Sequence, residues 1–460
     1  MKYLSTRGQV KNLSFEDAVM TGLADDGGLI IPSEIPFVDQ LQALKSLSFA
    51  ELSHKILGMF IEDEIDSATL KLMIQKSYQS FRHAEITPVR QSGALWILEL
   101  FHGPTFAFKD VALQFLGNLF EYFLEKRAHR LTVLGATSGD TGSAAIYGLR
   151  GKKNIEVFML HPQGRVSLIQ EKQMTTVLDK NIHNIAVEGT FDDAQNIVKT
   201  LFNDQDFKQT YHLGAVNSIN WARILAQIVY YFYAYFRVVP RVGDPVNFSV
   251  PTGNFGDVLA GFYAKKMGLP IDKLIVATNQ NDILYRLFTT GKYHTDTVVP
   301  TWSPSMDIQI SSNFERFLYY LGNNSSEQLN SWMNTFHDTG KLTLDDSWLK
   351  KANNEMTAER ASQVETLETI KQEYSIHQYL VDPHTAVGIC AAKKIQLSGP
   401  VICLATAHPA KFGDAVTQAI GKNPELPESL AELTDKESRV SVLPAKASAI
   451  KAFILQTLKV

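Results

Sequence analysis

The sequence predicts an α/β chain built on open, mostly parallel sheets with helices on both faces. Three observations predict it. Short apolar runs alternate with helix-prone stretches through the middle of the chain. The turns that join them are rich in glycine and hydroxyl residues, the composition found where a strand hands over to a helix. Over 460 positions, 45% are hydrophobic and 20% charged, the make-up of a chain that buries its own core without disulfides or metal staples.

The elements follow in order. Ser14 with Asp17 three residues on forms a capping box before Ala18 and Val19. Asp26-Gly27-Gly28 is a turn, followed by Leu29-Ile30-Ile31 and Pro32, and a polar–apolar helical region reaches about Arg82. This predicts a small N-terminal domain with a boundary near residue 90. Three βα units come next. Strands at 131–136, 155–160 and 182–187 each run into a polar turn and then a helix, the last helix opening with Asp192-Asp193. The apolar run 224–236 is interrupted by Gln227, flanked by Arg223 and Arg237, and too short to span a bilayer. It reads as a buried helix. Strands are expected at 246–250 and 274–277, with a helix at 258–267 between them closed by Gly268. The charged, helix-prone stretch from about His337 to His377 reads as a peripheral insertion or cap. A last strand at 400–405 ends in Thr406-Ala407-His408-Pro409.

Several function classes are disfavoured. With 44 basic and 48 acidic residues the net charge is −4, so no basic excess points to nucleic acid. The first ten residues hold no apolar core of a signal peptide, and a cytoplasmic, non-membrane protein is expected. Cys390 and Cys403 are the only cysteines, and His102, His161, His183 and His408 do not fall at ligand spacings, so no metal is expected. There is no G-x-S-x-G elbow, GxxxxGK[ST] or G-x-G-x-x-G.

Four segments carry candidate chemistry. Gly253-Asn254-Phe255-Gly256-Asp257 follows a strand and opens a helix. Its glycines admit a close ligand, and a helix N-terminus offers free N–H groups, which suits a phosphate. The pattern also fits an ordinary tight turn. Ser138-Gly139-Asp140-Thr141-Gly142 packs hydroxyls and a carboxylate at another helix start, where any one of them could be a plain cap. Lys109 follows Phe106-Ala107-Phe108 and precedes an apolar stretch. A desolvated lysine there is a usable amine nucleophile, whereas a surface lysine would merely snorkel. Asn217-Ser218-Ile219-Asn220-Trp221-Ala222-Arg223 sets side-chain donors and an arginine before the buried helix, either an anion site or a cap with a surface arginine.

The four together resemble one family. His102-Gly103-Pro104-Thr105-Phe106-Ala107-Phe108-Lys109-Asp110 is similar to the Schiff-base segment of the threonine synthases, members of the tryptophan-synthase-β-like (fold type II) pyridoxal-phosphate enzymes. The stretch 135–142 resembles their substrate loop, 253–257 their cofactor-phosphate loop, and 406–412 their C-terminal cofactor motif. Ser5-Thr6-Arg7-Gly8 and the segment 22–32 resemble their N-terminal domain.

The resemblance implies fold type II architecture: two open, twisted, mostly parallel sheet domains plus a small N-terminal domain. The expected boundaries are 1–90 for the N-terminal domain, 91–115 with 216–460 for the large cofactor domain, and 116–215 for a small mobile one. It implies pyridoxal 5′-phosphate as cofactor and O-phospho-L-homoserine as substrate, converted with water to L-threonine and phosphate. Lys109 would be the catalytic Schiff-base lysine. Gly253, Asn254, Phe255, Gly256 and Asp257 would hold the cofactor phosphate, and Thr406 the pyridine nitrogen. Ser138, Asp140 and Thr141 would face the substrate's amino-acid end, and Asn217, Ser218 and Arg223 its phosphate. Many relatives carry asparagine at the position of Asp140, so the role of that carboxylate stays open. The alternatives are a phospholyase giving 2-oxobutyrate and a non-catalytic ligand-binding homologue. A monomer or homodimer is expected.

Overall fold

The computed structural model describes residues 1–458. The chain divides into two compact units, Met1–Gly103 with Ser218–Pro424, and Pro104–Asn217 with Glu425–Val460. This division differs from the expected boundaries. Residues 1–90 fall within the first unit, the segment 104–115 joins the second, and so does the C-terminal stretch from Glu425.

The first unit is organised on a six-stranded sheet. Its order is Met356–Arg360, Ile271–Thr278, Val246–Pro251, Val401–Ala405, Leu95–Glu99 and Val89–Ser92. All neighbours pair in parallel except the last, antiparallel pair. Apolar residues meet in register, Ile402 lying opposite the buried Phe248 on one side and the half-buried Trp96 on the other. One face packs Ile97, Ile275, Ala277 and Cys403 against Val387, Ile389 and Cys390 of helix Pro383–Lys394. Helix Trp221–Val238 is buried on nearly every side, as an all-round apolar helix must be. Ser14 and Asp17 form the expected capping box on helix Phe15–Thr21.

The region expected as a peripheral insertion is partly core. Strand Met356–Arg360 pairs in parallel with Ile271–Thr278, Met356 opposite Leu274. Only Met356 and Ala358 of its five residues are buried. An edge strand needs no more than one apolar face, and its charged neighbours hid that alternation.

The second unit carries a five-stranded, wholly parallel sheet in the order Ser441–Pro444, Ile182–Glu188, Ile155–Pro162, Leu131–Ala136 and Leu213–Gly214. Leu134, Phe158, Leu160, Ile185 and Val187 pack on Ala194, Ile197 and Leu201 and on Ile450 and Ile454 of helix Ala447–Leu458. Each such buried aliphatic side chain contributes about 1.5–3 kcal/mol relative to exposure. That packing, with the pairing of Ser441–Pro444 on Ile182–Glu188, is why the C-terminal segment belongs here. Among the described residues no helix is long and apolar enough to cross a membrane, and no cluster of potential ligands could hold a metal.

Candidate active site

The expected residues fall into two groups, one in each unit. In the second unit Lys109 opens helix Lys109–Arg127. The turn before it is held by Asp110, whose carboxylate accepts the Thr105 N–H at 2.7 Å and the Thr105 hydroxyl at 2.8 Å. Phe106 takes a left-handed φ of 59° there. Lys109 is only 8% exposed. Its Nζ lies 3.6 Å from Asp140 Oδ2 and 4.9 Å from the centroid of the Phe108 ring. The buried amine therefore faces a carboxylate, the partner that tolerates its charged form.

Asp140 begins helix Asp140–Leu149. Its Oδ1 accepts a hydrogen bond from Gln170 Nε2 at 2.8 Å. Gly139, at φ 144°, makes that approach possible, because a Cβ there would lie 2.5–2.7 Å from the Gln170 amide. Thr137 Oγ1 gathers the loop by accepting the N–H groups of Gly139 and Gly142 at 3.0 and 2.9 Å. Ser138 is exposed and Thr141 half-buried on the same loop. Asn217 is half-buried at the far end of the unit's first segment. Nearby in sequence, His161 lies fully buried next to the end of strand Ile155–Pro162; neither ring nitrogen has a partner among the described residues, and burial pushes its pKa down to about 4.

In the first unit three adjacent parallel strands end side by side, at Glu99, Pro251 and Ala405. Open α/β sheets bind ligands beyond such ends. After Pro251 the chain enters Gly253–Asp257. A Cβ at Gly253 would sit 2.8 Å from the Ser305 carbonyl oxygen, so only glycine fits. Phe255 adopts a left-handed φ of 63°, pinned by ring contacts with Phe314 and Phe317. Asn254 is exposed, Gly256 opens helix Gly256–Lys266, and their N–H groups lie at its positive end. The Asp257 side chain is bound by helix Trp221–Val238. Its carboxylate accepts the Tyr230 hydroxyl and lies 3.1 Å from that of Tyr231. Thr406 is 6% exposed and donates its N–H to Thr385 Oγ1 at 3.3 Å.

Arg223 and Ser218 lie in the same unit. Arg223 sits in the first turn of helix Trp221–Val238, 5% exposed. Among the described residues its Nη1 has no hydrogen-bond partner, and burial lowers its pKa to about 10. A buried guanidinium with no carboxylate beside it is the electrostatic signature of an anion site. Ser218 Oγ lies 2.9 Å from Ser312 Oγ.

These residues fit pyridoxal 5′-phosphate. In the first unit a loop whose Gly253 admits no Cβ leads into a helix N-terminus able to take a phosphate, and in the second unit Lys109 is a buried amine. Sequence reasoning missed Gln170, the Glu99–His102 pair at 2.7 Å and the segment Ser311–Asn313. Of these only Ser311-Ser312-Asn313 carries a local signal, a run of polar donors before a helix.

Three family models match the chain: threonine synthase N terminus over residues 2–78, pyridoxal-phosphate dependent enzyme over 81–406, and threonine synthase, C-terminal, over 385–454. The chain is 52% identical to a threonine synthase of Schizosaccharomyces pombe, the match covering 91% of this chain and 89% of the relative. The chain belongs to the threonine synthase family. A second family relative, from Pseudomonas aeruginosa, is 47% identical over 99% of this chain and 98% of its own. The crystal structure of a PLP-bound threonine synthase from Brucella melitensis superimposes with a TM-score of 0.98 at 44% identity, covering 100% of both chains. The threonine synthase fold, fold type II, is therefore the fold of this chain, and it is a pyridoxal-phosphate dependent enzyme.

Proposed function

We propose that the chain converts O-phospho-L-homoserine and water to L-threonine and phosphate. The observation that carries this reading is Arg223, a buried guanidinium whose Nη1 has no partner among the described residues, close in sequence to Ser218 in a chain of the threonine synthase family. Such a group is satisfied by a doubly charged phosphate ester and left costly by a neutral hydroxyl.

When bound, pyridoxal phosphate supplies the electron sink for a carbanion at the substrate's α-carbon. The chain's own residues do the rest. Lys109 Nζ takes the proton from the α-carbon and returns protons at later steps. Asp140, 3.6 Å away, stabilises the ammonium while it carries a proton. Gln170 keeps Asp140 in place. The backbone of Gly253 to Asp257 holds the cofactor phosphate, and Thr406 its ring nitrogen. Ser138 and Thr141 bind the amino-acid end of the substrate. Arg223, with Asn217 and Ser218, binds its phosphate and then the leaving phosphate. Cys390 and Cys403 are free thiols, which supports a reducing, cytoplasmic setting. We place the protein there, as a monomer or homodimer.

The test is product analysis. Purified holoenzyme given phosphohomoserine should release threonine and phosphate in equal amounts. Predominant 2-oxobutyrate would make it a phospholyase. A protein that takes up no pyridoxal phosphate would be a binding homologue.

A further inference from the structure

The segment Ser311–Asn313 links two loops that the proposed function uses for two different phosphates. Asn313 is fully buried. Its side-chain amide donates to the carbonyls of Ser218, at 3.1 Å, and Asn254, at 3.0 Å. Its backbone N–H donates to the same Asn254 carbonyl at 3.1 Å. Its Oδ1 accepts from Arg316, which also binds the Ile30 carbonyl at 2.8 and 3.0 Å and that of Ile219 at 2.7 Å. The amide can take only this orientation. Flipped, its NH2 would face the guanidinium and its oxygen two carbonyls, so every contact would become repulsive.

Two carbonyls bound to one NH2 group cannot lie more than roughly 5 Å apart at ordinary hydrogen-bond lengths. Asn313 thus sets the spacing of the Ser218 segment from the Gly253–Asp257 loop. Ser312 adds a second tie at the half-exposed surface of the same place. It donates to Asn254 Oδ1 at 3.2 Å and lies 2.9 Å from Ser218 Oγ. Ser312 has one proton, so while Asn254 receives it, Ser218 must donate to Ser312. When an anionic oxygen takes the Ser218 proton, Ser312 is free to turn and donate to Ser218. The hydroxyl pair therefore keeps its mutual hydrogen bond when an anion binds, in exchange for the bond from Ser312 to Asn254. Ser311 completes the clasp by donating to the Gly253 carbonyl.

We propose that Ser312 and Asn313 are positioning residues of a phosphate-monoester subsite, holding Ser218 at the spacing from the Gly253–Asp257 loop at which the ester phosphate binds. This rests on the reading of Ser218 and Arg223 as the substrate-phosphate residues. The subsite takes a phosphate monoester or inorganic phosphate. Because the clasp also grips the cofactor loop, its loss weakens retention of the cofactor.

The test compares wild-type holoenzyme with Ser312→Ala, Ser312→Thr and Asn313→Asp. The probes are inorganic phosphate by calorimetry, phosphohomoserine kinetics, and pyridoxal phosphate titrated into apoprotein by absorbance. Ser312→Ala should raise the phosphate dissociation constant and the phosphohomoserine KM together, by roughly three- to tenfold, with kcat within about twofold. Ser312→Thr, which keeps the hydroxyl, should restore most of both. Asn313→Asp keeps the acceptor for Arg316 but sets a carboxylate against two carbonyls, and should weaken phosphate and pyridoxal phosphate binding alike. Unchanged phosphate affinity in Ser312→Ala overturns the proposal, and so does a Ser312→Thr variant as impaired as Ala. If wild type ignores phosphohomoserine yet its phosphate affinity responds to Ser312→Ala, the substrate reading fails and the clasp stands. If wild type turns over phosphohomoserine with no response in the variants, the reading stands and the clasp fails.

Discussion

Gln170 Nε2 donates to Asp140 Oδ1 at 2.8 Å, and the other oxygen of that carboxylate lies 3.6 Å from Lys109 Nζ. A neutral amide therefore fixes the acid that faces the amine, so the carboxylate has one rotamer rather than several. This gives Asp140 a place that its sequence context left open.

Replacing Gln170 by Leu removes that hold without adding charge. A hydrogen bond to an ionised group is worth about 1.5–3 kcal/mol, so kcat should fall at least about tenfold while the inhibition constant of inorganic phosphate stays put. A kcat equal to wild type would show that Gln170 does not orient Asp140 for the reaction.

On the proposed role of Lys109, Lys109→Ala should lose turnover by several orders of magnitude, since nucleophile and proton carrier would disappear together. Rapid-quench assay of the variant reconstituted with cofactor measures it. Residual turnover close to wild type would move the chemistry to another residue.

Gly253→Ala should cost about 1–3 kcal/mol of stability, because its Cβ would press on the Ser305 carbonyl at 2.8 Å. Cofactor should also leave faster on dialysis. Melting curves with and without added pyridoxal phosphate separate the two effects, and a variant matching wild type in both would place the phosphate elsewhere.

Arg223 carries a buried charge that the folded protein tolerates at a cost, as its pKa lowered to about 10 by burial shows. Arg223→Met should melt higher than wild type in phosphate-free buffer. Phosphate at about 100 times its dissociation constant should add about 2.7 kcal/mol to wild type and nothing to the variant. Equal phosphate stabilisation of both proteins would remove Arg223 from the anion site.

His161 and His408 are each pushed down to about 4, first of all by burial, whereas an unfolded histidine titrates near about 6.5. Between those values the unfolded chain binds protons that the folded chain refuses. Their contribution is thus complete above pH about 6.5 and is lost as pH falls toward about 4. The urea midpoint of His161→Leu should decline less steeply than that of wild type across this window. Parallel declines would mean that His161 takes up its proton in the folded state.

Much of the fold was legible because its signals are local. Strand Leu131–Ala136, helix Trp221–Val238 and the Ser14 capping box all announce themselves within a few residues. Among the strands that escaped notice, Leu95–Glu99, Met356–Arg360 and Ser441–Pro444 are short and lean on distant partners for their identity. The same holds at the candidate site. Lys109, Gly253 and Arg223 stand in conspicuous local company, but Gln170 reaches Asp140 across thirty residues and Asn313 reaches Ser218 across ninety-five. No spacing in the sequence encodes such a meeting, because it is made by the chain's path through two sheets.

The pairing of Ser441–Pro444 with Ile182–Glu188 has a consequence for how the protein is made. The edge that Ile182–Glu188 offers has to wait for a partner about 250 residues downstream, which at roughly 5–20 residues per second of translation leaves it open for tens of seconds. Through that interval the nascent sheet exposes unpaired N–H and C=O groups, together with the apolar surface that Ile450 and Ile454 later cover. The newly made chain should therefore be a chaperone client until Ser441–Pro444 has paired.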